Sequence, residues 1–142
     1  MKKGKLLLNW QKEPVAVYLG GNKFFWFKNQ RKEGFTDKQI LAFFYQENGL
    51  KGADLSGANL WGVNLSGVNL SGANLSDADL SDASLYRASL YGADLYGANL
   101  SYTNLSYANL SYTNLEGANL TGANYNQSTT WPEGFNKSRL SS

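Results

Sequence analysis

The chain contains no cysteine and no histidine, and only two prolines and one methionine in 142 residues. Without Cys or His it cannot form a disulfide, a Ser-His-Asp or Cys-His catalytic machine, or a His/Cys metal site. Long apolar runs are missing too. The opening residues offer only LLL at 6–8 before Asn9, Gln11 and Lys12, well short of the ~7–15 apolar residues of a secretory signal or the ~20 of a membrane span. A cytoplasmic protein with no membrane partner is expected. Nor is there a large excess of one charge: 13 basic against 11 acidic residues give +2, too little to draw the chain to nucleic acid, which is not expected as a partner.

What remains is 42% hydrophobic, enough to fold. Its charge is unevenly spread. Residues 1–50 carry 9 basic and 4 acidic groups (+5), 51–125 carry 2 and 6 (−4), and 126–142 carry 2 and 1 (+1). A basic head precedes an acidic body.

From Lys51 the sequence repeats every five residues, as KGADL, SGANL, WGVNL, SGVNL and onward to EGANL and TGANY, fifteen units in register over 75 residues. Leucine fills the central position fourteen times, Leu55 to Leu120, and Tyr125 takes the fifteenth. Leucines five apart on an α-helix step by about 140° net and form no stripe. On a straight strand the odd spacing would send alternate leucines to opposite faces. Within a unit, however, Ala53 and Leu55 lie on one side of a short extended piece while Asp54 points away. If the other two residues turn the chain by about 90°, four units close a coil and successive coils stack at ~4.8 Å. The expected result is an all-β solenoid with a solid interior, one Leu and one small residue per side. Period alone does not choose four sides over three or five, nor the hand.

The A-(D/N)-L-x-x units resemble the pentapeptide repeat family of cyanobacterial type. The resemblance covers Gly52 to Tyr125, and TTWPEGF at 129–135 is similar to segments that follow such arrays. It implies a right-handed quadrilateral β-helix, here of about four coils. It also implies a non-enzymatic binding protein, for which no catalytic residue, cofactor or metal is assigned. Long acidic members mimic DNA and bind a type II topoisomerase, but four coils at ~4.8 Å span only ~19 Å, about six base pairs. The expected function is therefore a rigid, monomeric scaffold for protein–protein interaction, its partner unknown. The DNA mimic is the alternative.

Asn or Asp precedes the central residue in thirteen units, Ser84 and Ser89 being the exceptions. Short amides and carboxylates habitually form turns and ladders, and that role is assigned to them here. Glycine stands two after the central position in most units, but Asp77, Asp82, Arg87, Tyr102, Tyr107 and Tyr112 occupy the same site elsewhere. Bulky residues avoid positive φ, so two corner geometries are expected. The least generic feature is aromatic: Tyr86, Tyr91, Tyr96, Tyr102, Tyr107 and Tyr112 girdle the later coils, against Trp61 alone in the earlier ones. Stacking at period 20 puts Tyr107 one coil beyond Tyr86 and Arg87, and Tyr112 one beyond Tyr91. These eight residues are the candidate interaction surface, because tyrosine-rich patches are common at interfaces. Tyrosine also simply suits exposed strands.

The ends of a solenoid need caps. Residues 36–49 read as a capping helix, near 37–48, with Thr36 and Gln39 as a capping box and Gly49 as the stop. Residues 1–35 read as a β-rich segment of three strands, LLLNW, VAVYL and KFFWF, the latter two a hairpin, expected to dock on the helix or the tube. The repeat occupies 50–125, and 126–142 form a cap and tail, with Tyr125, Trp131 and Phe135 around Pro132 folding across the last coil.

Overall fold

A five-residue unit that returns every leucine to the inside must turn at every unit. The computed structural model describes residues 50–140 in full and, among the first 49, the backbone of three strands. In the repeat each leucine carbonyl accepts from the N–H three residues on: Leu50 from Ala53 at 2.9 Å, Leu75 from Ala78 at 3.0 Å, Leu120 from Ala123 at 3.1 Å. The third residue of each turn has positive φ and the second does not, the pattern of a type II turn.

One corner geometry serves throughout, which corrects the expectation of two. Asp77, Asp82, Arg87, Tyr102, Tyr107 and Tyr112 hold φ between 57° and 61°, beside 64° to 71° at the glycines of the array. Stacking, not residue type, decides the corner. From Gly52 to Tyr102 the N–H at this position donates to a carbonyl of the next coil, Gly52 to Ser71 at 2.9 Å, Asp77 to Tyr96 at 2.8 Å and Tyr102 to Thr121 at 2.9 Å. A corner of another shape would break that bond and displace the coil above. The ladder therefore holds Asp77, Asp82, Arg87 and Tyr102 in a conformation that costs each about 1 kcal/mol, while the Tyr107 N–H donates instead to Asn126 Oδ1 at 3.2 Å.

Coils pair through parallel bridges spaced by twenty residues, so four units make one coil and the tube has four faces. The first face stacks Asp54, Asn74, Asp94 and Asn114; the second, Asn59, Asp79, Asn99 and Asn119. The third stacks Asn64, Ser84, Asn104 and Asn124; the fourth, Asn69, Ser89, Asn109 and Thr130. No aspartate lies directly over another. The last step, Asn109 to Thr130, is 21 residues, so one extra residue is absorbed where the repeat ends.

Leu55 to Leu110 are wholly buried, with Ala, Val63, Val68, Thr103 and Thr113 in the small slots between. The two threonine hydroxyls donate inside the tube, Thr103 to the Leu80 carbonyl at 2.7 Å and Thr113 to Leu110 at 2.6 Å. Tyr125 departs from the central pattern. It is 41% exposed and meets Trp131 edge-on, ring centroids 5.8 Å apart, instead of filling a leucine slot.

Beyond the array, Trp131 stacks on Phe135 at 4.7 Å and both pack partly buried against the core. A 3-10 turn at Lys137–Arg139, capped by the Asn136 side chain, then brings Arg139 back to the tube. Its guanidinium donates to the carbonyls of Leu115 and Ala118 at 2.9 and 3.0 Å, the second of which has no further coil to meet, whereas Ala98 in the coil before accepts from Asn119.

In the amino-terminal part, β1 (Leu6–Leu8), β2 (Pro14–Gly20) and β3 (Lys23–Trp26) form an antiparallel sheet in the order β1-β2-β3. Val17 pairs with Leu6 on one side and Phe25 on the other. Pro14 opens its strand, where a missing N–H interrupts no ladder. The helix read near 37–48, and the docking of the first 35 residues, lie outside the described residues.

Candidate interaction surface

The outward Asn and Asp side chains are engaged with their own backbone. Oδ1 accepts from the N–H two residues on, as in Asn64 to Ser66 at 3.0 Å, Asp79 to Ser81 at 3.0 Å and Asp94 to Tyr96 at 3.0 Å. These are Asx turns, each steering the chain into its corner. Some also tie coils together, such as Asn114 Nδ2 to Asp94 at 3.2 Å. Where serine replaces the amide, hydroxyls pair between coils: Ser84 with Ser66 at 2.7 Å and Ser89 with Ser71 at 2.9 Å.

Corner residues are what is left to face a partner. Each corner offers two positions, and the first position of one coil lies under the second position of the next, 21 residues on. Through that step Tyr86 meets Tyr107, centroids 5.5 Å apart and rings at 76°, while Tyr91 meets Tyr112 at 5.1 Å and 59°. Both are favourable aromatic geometries. The Arg87 guanidinium lies 5.2 Å from the Tyr86 centroid and 5.4 Å from that of Tyr107, a cation–π contact to both.

The other candidates are not part of this assembly. Trp61 uses the same step to donate from Nε1 to Asp82 at 3.2 Å. Tyr96 stands on the corner between the first and second faces, and Tyr102 between the second and third, where its ring covers Gly122. Sequence reasoning found the tyrosine pairs from the period. It missed the Trp61–Asp82 bond and the strained backbone of Tyr102, Tyr107 and Tyr112, since both depend on the shape of the corner. Among the described residues no group of His, Cys, Asp and Glu is placed to hold a metal, and no helix is long and apolar enough to cross a membrane.

A tube with leucine-filled coils and corners of one geometry defines a β-solenoid repeat protein. The model of pentapeptide repeats matches residues 50–85, 64–101 and 98–124, in 8 copies. With more than half of its length matched, the chain belongs to the pentapeptide repeat family, whose fold is a right-handed quadrilateral β-helix. Among solved structures, Rfr23, a pentapeptide repeat protein from the cyanobacterium Cyanothece 51142, is 40% identical over 56% of this chain and 61% of its own, with a TM-score of 0.36. A pentapeptide repeat protein from Nostoc Pcc 7120 is 34% identical over 73% of this chain and 91% of its own, with a TM-score of 0.47. One from the Arabidopsis thaliana thylakoid lumen is 34% identical over 58% of this chain and 60% of its own, with a TM-score of 0.49. The chain thus spans about three fifths of the first and third of these and about nine tenths of the second. No curated protein matches it.

Proposed function

We propose that the chain is a non-enzymatic, rigid scaffold that binds a protein partner through the tyrosines of its later coils. One observation carries this reading. Tyr107 and Tyr112 hold left-handed backbone, φ 61° each, at a position where glycine serves elsewhere at no steric cost. Each nonetheless pairs with a tyrosine one coil away, leaving Tyr91 and Tyr107 48% and Tyr112 74% exposed. Large rings held rigidly at the surface, against backbone strain, suit contact with another protein.

The test is retention of proteins from a cell extract by the full chain, compared with a variant carrying Tyr86→Ser, Tyr91→Ser, Tyr107→Gly and Tyr112→Gly. Glycine is chosen where the corner demands positive φ, so the fold should hold. A protein retained by the wild type and absent with the variant is expected. Identical retention by both chains would refute the reading.

A further inference from the structure

We propose that the docking surface is the fourth face of the tube alone, and that its occupant is a protein segment presenting a carboxylate among apolar side chains. This rests on the scaffold reading and narrows it. The chain enters the fourth face through Tyr86 and Arg87 in one coil and Tyr107 in the next, and leaves it through Tyr91 and Tyr112. Both aromatic pairs therefore flank one face, with Ser89 and Asn109 between them. Among the described residues no other face has a pair on each side.

Charge divides around the tube in the same way. Asp54 and Asp94 lie on the first face, Asp79 on the second, Asp77 and Glu116 on the corner joining them, and Asp82 on the corner beyond. These are all the acidic residues of the array. Its two cations, Lys51 and Arg87, both stand at corners flanking the fourth face. Within the array, the fourth face and its flanking corners thus carry no carboxylate and form an aromatic, weakly cationic side. That side is complementary to a segment of opposite sign, and Arg87, fixed between two rings, suits one carboxylate.

The dimensions fit a single segment. Three extended residues separate the flanking corners, about 10 Å, and four coils give a length of about 15 Å between the outermost rungs. A nucleic-acid strand fits less well. Its affinity grows with phosphates neutralised and with ring faces open for stacking, whereas this array carries six acidic residues against two basic ones and its Arg87 already covers the rings of Tyr86 and Tyr107.

The test is panning of the full chain against a displayed library of random 12-residue peptides, followed by fluorescence titration of the enriched peptides. Enriched peptides should share an Asp or Glu beside an apolar residue. Their affinity should fall at least tenfold with Arg87→Glu and with the pair Tyr91→Ser and Tyr112→Gly, and stay within twofold with Trp61→Ser or Tyr102→Gly. Changing the shared acid of the peptide to Lys should restore binding to Arg87→Glu. Enrichment of peptides lacking an acid, no enrichment at all, or loss with Trp61→Ser and Tyr102→Gly instead would overturn the proposal. In the last case the tyrosine scaffold survives and only the choice of face and partner fails.

Discussion

Gly122 lies directly beneath the ring of Tyr102, so that a Cβ added there would come within 2.5 Å of Cε1 and 2.6 Å of Cδ1. Two demands meet at this glycine, its φ of 66° and the ring one coil away. Gly122→Ala should lower stability by about 2–3 kcal/mol, from left-handed strain together with overpacking. Adding Tyr102→Gly should recover the overpacking part, and chemical denaturation of the four chains in a double-mutant cycle measures it. A purely additive cycle would mean the ring does not hold this position.

Asp77 occupies the same kind of corner at φ 57° and stands exposed. Replacing it by glycine removes the strain and keeps the backbone bond to Tyr96. Asp77→Gly should therefore raise stability by about 1 kcal/mol in urea unfolding. A loss of similar size would show that the side chain stabilises its corner more than the strain costs.

The inward register is checked by Leu85, which is wholly buried, against Ser106, at the first corner position. Leu85→Ala should cost about 2–5 kcal/mol by leaving a cavity that flanking coils cannot fill. Ser106→Lys should change stability by less than about 0.5 kcal/mol. Calorimetry on both variants reads the difference directly.

Arg139 caps the far end by donating to Leu115 and Ala118 while lying 5.5 Å from the Phe135 ring centroid. Arg139→Ala should destabilise the array by about 1–2 kcal/mol, with Arg139→Lys recovering only part, because an ammonium lacks the planar fork. Amide exchange should quicken first in the last coil. Uniform acceleration along the tube would argue against a local cap.

Much of this could be read in the sequence because one number, the period of five, dictates so much. It assigned each leucine to the inside, each Asn or Asp to the outside, and Tyr107 to the coil after Tyr86. It failed where a rule for isolated residues met a cooperative lattice. Arg87 and Tyr102 disfavour positive φ, yet a corner is shared with the coils above and below, whose hydrogen bonds outweigh the preference of one side chain. Tyr125 was legible as part of the cap with Trp131 and Phe135. At the end of the array it is free to leave its slot for Trp131. The clustering of both cations beside one face was hidden because Lys51 and Arg87, on the two corners flanking it, stand 36 apart in the chain.

The most direct test of the scaffold account is calorimetric titration of the retained protein partner into three chains, at low and moderate salt. The chains are the wild type, the tyrosine variant with Tyr86→Ser, Tyr91→Ser, Tyr107→Gly and Tyr112→Gly, and a carboxylate variant with Asp77→Asn, Asp79→Asn and Asp82→Asn. If aromatic anchors bind the partner, affinity falls at least tenfold in the tyrosine variant, survives in the carboxylate variant, and changes little with salt. Wild-type protein at micromolar concentration then leaves DNA supercoiling by a bacterial gyrase unaffected. Binding that survives the tyrosine changes, collapses with the neutralised aspartates and weakens steeply with salt would contradict the account and favour mimicry of DNA.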